Sequence, residues 1–308
     1  MQKILITGGL GQVGSYLVDK LCKTADITIL DNYSSTTRES VPDGVTIVND
    51  DILSKRAREL VNQNDVVIHT AAQISVSRSM DDPLFDLNNN VFGTLNLLEA
   101  ARSSSYDQNL NKFIYFSSAA VYGNPEYLPI DEIHPQNTLS PYGASKLSGE
   151  KYCTMYHKAF GVPTVCIRPF NIYSPRQDPS NPYSGVISKF IERVKNNQSP
   201  IIFGDGTQTR DFISVHDIVD MILLVIEDKK AEGEVFNVGT GVSTTITELA
   251  QMIIDIYGAD ADIEFTSSMP GDIKHSNSDI SKAKLIGYEP KIKLYDGLKE
   301  FITDQADS

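Results

Sequence analysis

The chain has 308 residues, 41% hydrophobic and 22% charged, which suits a substantial buried core and excludes a largely disordered polypeptide. Asp and Glu number 40 against 27 Lys and Arg, and the net charge of −13 repels nucleic-acid phosphates and anionic membrane surfaces. Three cysteines without C-x-x-C spacing (Cys22, Cys153, Cys166) and five histidines without a ligand-spaced pair speak against a disulfide framework or a metal site. A reducing, cytoplasmic setting is therefore expected.

The chain opens directly into an apolar strand at residues 4–6, with no signal-peptide pattern. Its longest apolar stretch, 221–226, is too short to span a bilayer. Further strands are predicted at 27–30, 45–48, 66–69, 113–116 and 164–167, with helices at 14–23, 55–61, 84–101 and 142–159. Strands of continuous Val, Ile and Leu fit a parallel sheet covered on both faces. Their alternation with helices predicts an α/β fold, a Rossmann-type doubly wound parallel sheet. Past Pro169 the rhythm changes. Residues 171–184 read as a Pro-, Ser- and Asn-rich loop, and helices resume at 186–195, 215–227 and 246–257. The last opens with the capping-box pattern Thr245-x-x-Glu248. A smaller C-terminal α/β domain is expected there.

Thr7-Gly8-Gly9-Leu10-Gly11-Gln12-Val13-Gly14 follows the first strand and opens the first helix. It fits G-x-G-x-x-G through Gly9, Gly11 and Gly14, and G-x-x-G-x-x-G through Gly8, Gly11 and Gly14. A dinucleotide needs a tight turn, a backbone bare enough for pyrophosphate to approach, and unpaired N–H groups at a helix N-terminus. The second strand ends at Asp31, where a carboxylate accepts ribose hydroxyls and repels a 2′-phosphate. Asn32 follows it where an arginine would select NADP, so NAD is favoured. Arg38, in the next loop, is the one residue that speaks for NADP.

Ser118 ends the fifth predicted strand. Tyr142 and Lys146, four apart in the next helix, share one face. A free phenol ionises at about pH 10. A neighbouring ammonium and the positive nicotinamide of an oxidised cofactor would favour the phenolate and make the tyrosine a base. Ser118 can hold the same substrate hydroxyl. Y-x-x-x-K alone also describes an ordinary surface helix.

Residues 7–14, Asp31, Phe116-Ser117-Ser118-Ala119-Ala120-Val121-Tyr122-Gly123 and Tyr142-Gly143-Ala144-Ser145-Lys146 together resemble the extended short-chain dehydrogenase/reductases. Within them the chain looks most like the nucleotide-sugar 4-epimerases of the UDP-glucose 4-epimerase type, over essentially its whole length. The resemblance implies an NAD-binding Rossmann domain at 1–170 and a substrate-binding domain at 171–308, interleaved so that 211–238 return to the larger one. It implies catalysis by Ser118, Tyr142 and Lys146. Cofactor contacts are implied from Gly8, Gly11, Gln12, Val13, Asp31, Asn32, Asp51, Ile52, Ala71, Ala72, Asn90, Ser117, Tyr142 and Lys146. The substrate is implied to meet Ser118, Asn171, Val186, Phe203, Arg210, Asp272 and Ser276, with Asn171 and Arg210 on the diphosphate. His69 reads as a satisfied strand-end histidine. Three residues depart from the family pattern: Met269 replaces a diphosphate-binding arginine, Ser174 a glycine, and Ile74 the lysine of some relatives.

Dehydratases of the family carry Asp-Glu after the active-site serine or threonine. Here Ala119 and Ala120 stand there, and neither can transfer a proton. The expected reaction is 4-epimerisation: hydride leaves sugar C4 for NAD, the 4-keto sugar turns over, and hydride returns to its other face. Ser276 sits where a bulky tyrosine narrows the pocket in some relatives, so the expected substrates are UDP-glucose and UDP-galactose with the N-acetylated pair admitted. A nucleotide-4-ketosugar reductase and a catalytically silent NAD sensor stay open as alternatives. The resemblance also implies a homodimer pairing helices 87–101 and 142–159, which would need apolar residues on two faces; Leu95, Leu98, Tyr152 and Met155 are consistent with that.

Overall fold

Side-chain alternation builds the first layer. In β1 (Gln2–Thr7), Ile4, Leu5 and Ile6 are all fully buried, although successive side chains point to opposite faces. Ile4 and Ile6 join an apolar cluster with Leu17, Val18, Ile218 and Ile222; Leu5 joins another with Val61, Val67, Leu97 and Cys153. Both faces of the strand are thus covered, as a parallel sheet requires. The computed structural model describes the chain apart from residues 36, 37, 39, 107, 108, 178–184, 269–272 and 308, and the side chains of 105, 106 and 305–307.

After β1 come α1 (Gln12–Leu21), β2 (Ala25–Asp31), β3 (Thr46–Asn49), α2 (Lys55–Asn62), β4 (Val66–His69), α3 (Val76–Asp81), α4 (Pro83–Leu87), α5 (Gly93–Tyr106), β5 (Lys112–Phe116), α6 (Pro141–Phe160) and β6 (Thr164–Pro169). The second half runs β7 (Asn171–Tyr173), α7 (Val186–Lys195), β8 (Ile201–Phe203), β9 (Thr209–Arg210), β10 (Phe212–Ser214), α8 (Val215–Glu227), β11 (Val235–Val238), β12 (Thr244–Thr245), α9 (Ile246–Tyr257), β13 (Glu264–Thr266), α10 (Ser281–Lys284) and α11 (Leu294–Asp307). Among the described residues the main sheet has seven parallel strands in the order β11-β6-β5-β4-β1-β2-β3. The order reverses between β1 and β4, and the crevice at their C-terminal ends is where a doubly wound sheet takes its ligand. A further apolar cluster unites Phe190 and Ile191 of α7, Leu249 and Ile253 of α9, and Leu298 and Phe301 of α11. Among the described residues, three two-stranded pairings, β7 with β10, β8 with β13 and β9 with β12, accompany it.

The continuous helix expected over 84–101 is divided. Asp82 caps α4, its carboxylate accepting from the Phe85 N–H at 3.0 Å, and Pro83 fills the first helical position. A π-helical turn, Asn88–Phe92, then separates α4 from α5 and turns Asn90 into a buried polar cluster. The stretch expected as loop from 171 begins as β7. Strands of two or three residues offer no period to read. Helix α6 is framed by local chemistry: the Ser140 hydroxyl accepts from the Gly143 N–H, Pro141 opens the first turn, and Gly161 (φ +70°) ends it left-handed.

Candidate active site

The glycine loop is shaped by contact. Gly8 has φ +68°, and a Cβ there would lie 2.8 Å from the Ala71 nitrogen at the end of β4. At Gly14 a Cβ would come within 2.2 Å of the Gly8 carbonyl oxygen, so α1 begins hard against the turn. Gly11 differs: a Cβ there would meet the Gly8 oxygen at 3.3 Å and nothing nearer. No side chain caps the N-terminus of α1, and Gln12 Nε2 is buried without a hydrogen-bond partner among the described residues. Bare backbone, open helical N–H groups and an orphaned amide donor are the donor set a dinucleotide diphosphate requires. Val13 packs against the core beside them.

Asp31 anchors this loop. Its carboxylate accepts from the Leu10 N–H at 3.0 Å and the Tyr33 N–H at 2.9 Å, fixing the tip of β2 against the turn. Asn32 Nδ2 donates to Asp51 at 2.8 Å, joining the ends of β2 and β3. Ile52 is buried against Gly93, at the start of α5. Arg38 is engaged elsewhere, ion-paired with Asp19 of α1, and Arg176 reaches the same carboxylate at 2.6 Å. Ala71 and Ala72 follow β4, and the Ala71 N–H donates to Thr7 Oγ1 at 3.3 Å. His69 is locked between Thr7 Oγ1 (2.8 Å) and Thr94 Oγ1 (3.0 Å). Burial, with help from the Lys146 charge, pushes it down to about 3, so it is a neutral structural group.

The C-terminal end of β5 and the first turns of α6 bring Ser118, Tyr142 and Lys146 together. Ser118 Oγ accepts from the Ala120 N–H at 3.2 Å, and its hydroxyl favours the ionised form of the Tyr142 phenol. Lys146 Nζ donates to the Phe116 carbonyl at 2.9 Å and lies 5.3 Å from the centre of the Tyr115 ring. Burial lowers the lysine to about 8, with Asp86 opposing that shift. The sequence led us to expect a phenol made more acidic by the lysine. In the chain itself burial wins: Tyr142 is pushed above the usual phenol range, Ser118 pulls it back, and Asp86 adds to the rise. The ammonium is engaged at Phe116, so common helix spacing brings the two side chains to one face without pairing them.

Next to Ser118, the Ser117 hydroxyl donates to Glu150 at 2.9 Å. Asn90 gives its side chain to Gln73, Asp86 and Ser145. Ala119 and Ala120 form a single 3-10 turn, and Gly143 must be small because a Cβ there would lie 2.7 Å from the Ala120 oxygen.

On the opposite bank, Asn171 starts β7 and donates its backbone and side-chain N–H groups to the Asp211 carbonyl at 3.0 and 3.2 Å. Arg210 lies on β9, which the Ser276 N–H joins at the Thr209 carbonyl (3.1 Å). Asn171, Gln177, Val186 and Phe212 share the wall of a cavity of about 100 Å³. Phe203, at the end of β8, is exposed. Asp211 is the hub of this side. Its carboxylate accepts from Thr240 N (2.8 Å), Thr240 Oγ1 (2.6 Å), Gly241 N (3.0 Å), Ser278 N (3.2 Å) and the Ser278 hydroxyl. Asp272 and Met269 lie outside the described residues, as do Asp178, Pro179, Tyr183 and Ser184.

Two features escaped the sequence reading. Arg168, fully buried in β6, makes a two-pronged pair with Glu150 at 2.8 and 2.6 Å and donates to the Tyr122 hydroxyl at 2.6 Å, which donates to Asn237 at 2.6 Å. A charged residue within an apolar strand was its signal, since a buried guanidinium demands a partner. The other is Asp86, a carboxylate 1% exposed, with nothing in its spacing to mark it.

The model of the family "NAD dependent epimerase/dehydratase" matches residues 4–239. A Methanocaldococcus jannaschii protein, provisionally named a UDP-glucose 4-epimerase, is 42% identical over 303 residues, 97% of each chain. The UDP-glucose 4-epimerase of Mycolicibacterium smegmatis is 37% identical over 310 residues, again 97% of each. The solved UDP-N-acetylglucosamine 4-epimerase of Methanobrevibacter ruminantium, in complex with UDP-N-acetylmuramic acid, superposes with a TM-score of 0.94 at 37% identity, covering 99% of this chain and 98% of that one.

Proposed function

Because the chain belongs to the NAD dependent epimerase/dehydratase family, we propose that it catalyses the reversible 4-epimerisation of a UDP-sugar. The substrates are UDP-glucose and UDP-galactose, with the N-acetylated pair admitted. One observation carries the reading: Ser118 at the end of β5 and Tyr142 and Lys146 on the first turns of α6 converge at the C-terminal edge of the sheet, and two alanines follow the serine where an eliminating enzyme needs an acid–base pair.

Gly8, Gly11, Gln12 and Val13 would hold the diphosphate of NAD, Asp31 and Asn32 its adenosine ribose, and Asp51 and Ile52 its adenine. Ala71, Ala72, Asn90, Ser117, Tyr142 and Lys146 would line the nicotinamide half. When bound, NAD supplies a temporary hydride acceptor at the sugar C4. Tyr142 would take the C4 hydroxyl proton and later return it, and Ser118, on the same side of the site, would orient that hydroxyl. The Lys146 ammonium favours the phenolate by its charge. Asn171 and Arg210 hold the substrate diphosphate, a planar guanidinium being suited to two phosphate oxygens. Val186, Phe203, Asp272 and Ser276 complete the nucleotide and sugar contacts.

The domain division follows the same reading: 1–170 with 211–238 hold the cofactor, and the remainder of 171–308 the substrate. A cytoplasmic homodimer completes it. Exposed Leu84, Leu87, Phe92, Tyr152 and Met155 along α4 to α6 support an apolar face there. Leu98 belongs to the chain's own core, fully buried there. No helix of the described residues is long and apolar enough to cross a membrane.

The test is proton NMR of purified protein with UDP-galactose and no added cofactor. UDP-glucose appears, and Tyr142→Phe abolishes it. No conversion after NAD is supplied overturns the reading, and stoichiometric consumption of NAD(P)H would replace it with a reductase.

A further inference from the structure

Asp86 is a buried acid with no ion-pair partner among the described residues. Its Oδ1 accepts from Gln73 Nε2 at 2.8 Å and Asn90 Nδ2 at 3.1 Å, while Oδ2 is buried with no hydrogen-bond partner among the described residues. An unpaired buried carboxylate oxygen is costly, and such a group in a folded chain calls for an explanation. The network that fixes it leads to the reactive helix: Asn90 Nδ2 also donates to Ser145 Oγ at 3.1 Å, and Ser145 Oγ donates to the Tyr142 carbonyl at 3.0 Å.

The other titratable groups around Tyr142 and Lys146 are already accounted for. From β4, His69 is neutral; from β5, Tyr115 is held protonated by burial. Farther along α6, Glu150 is paired with Arg168, and Cys153 is a fully buried thiol. From α3, Arg78 stacks 4.0 Å over the Phe85 ring and is exposed. Among the described residues this leaves the Asp86 charge as the uncompensated partner of the Lys146 ammonium.

We propose that Asp86 is a positioning residue for proton transfer: its fixed negative charge keeps Lys146 an ammonium ion and sets the pH range in which Tyr142 exchanges its proton. The inference rests on the epimerase reading for its kinetic test alone. A negative charge raises the proton affinity of both neighbours, so its removal lowers both. The directions at Lys146 and Tyr142 agree, since Asp86 raises each.

The experiment measures kcat and KM for UDP-galactose against pH in wild type, Asp86→Asn, Asp86→Ser and Asp86→Glu holoenzymes. Both neutral variants should move both limbs of the kcat profile to lower pH. A shift of about one unit lowers kcat about tenfold on the alkaline limb. KM should stay within about twofold of wild type, and Asp86→Glu should restore the limbs. A second readout needs no turnover: the tyrosinate absorbance of Tyr142, taken by difference against Tyr142→Phe, should titrate at lower pH in Asp86→Asn. A uniform loss of kcat with unmoved limbs overturns the proposal, as does failure of both neutral variants to fold. If wild type does not epimerise yet the tyrosinate titration shifts, the epimerase reading fails and the role of Asp86 stands.

Discussion

Lys146 Nζ donates to the carbonyl oxygen of Phe116 at 2.9 Å, so the end of β5 and the second turn of α6 are held together by a charged side chain 4% exposed. Ser118 lies two residues beyond that carbonyl. The lysine therefore fixes the distance between the strand that carries the serine and the helix that carries the tyrosine.

The pH dependence follows from burial. Lys146 is lowered to about 8, so its ammonium is present below that pH and lost as pH rises through it. The kcat for UDP-galactose should fall above about pH 8. Lys146→Met should remove that limb and lower kcat by about 10²-fold or more, the scale of acid–base contributions. A pH–rate profile of the two proteins decides.

The glycine loop separates binding from folding. Gly14→Ala drives a Cβ to 2.2 Å from a backbone oxygen, so the turn must shift and both thermal stability and NAD retention should fall. Gly11→Ala meets that oxygen at 3.3 Å, a contact the turn can absorb by a small shift. It should melt within a few degrees of wild type yet lose NAD affinity tenfold or more. Calorimetry and the nucleotide content of the purified proteins test the contrast.

The Arg168–Glu150 pair should behave as a buried ion pair. Arg168→Met leaves Glu150 charged and unpaired and should cost about 3–5 kcal/mol in urea unfolding. Adding Glu150→Leu should recover much of that loss, since removing both charges removes the desolvation penalty. A double-mutant cycle measures the coupling.

Sugar range turns on Ser276. Ser276→Tyr should suppress turnover of the N-acetylated sugar and leave UDP-galactose within a few-fold. Equal loss of both would remove Ser276 from the specificity pocket.

How far these features were legible follows from their range along the chain. The sheet could be read because β1, β4 and β5 carry short apolar runs that alternate with helical segments, and the glycine loop because its parts are contiguous. Tyr142 and Lys146 were legible as an i, i+4 pair. Their electrostatics were not, since Phe116 takes the ammonium and Asp86 approaches from a different helix. The break between α4 and α5 was hidden because Asn88, Asn89 and Asn90 fit a helical pattern, and Asn90 meets Gln73 and Ser145 only once distant segments come together. The strands β7 to β10, β12 and β13 are defined by pairing between distant short segments, which leaves no periodic mark.

Asp211 also imposes an order on biosynthesis. Its carboxylate ties together Thr240, Gly241 and Ser278. During vectorial synthesis the glycine loop and its supporting strands emerge early, and N-terminal units fold first. The bank carrying Asn171 and Arg210 waits until Ser278 has left the ribosome. A nascent chain halted before that residue carries the glycine loop but lacks the Ser278 bonds that hold Asp211, so the bank built on Asp211 is fixed late in synthesis.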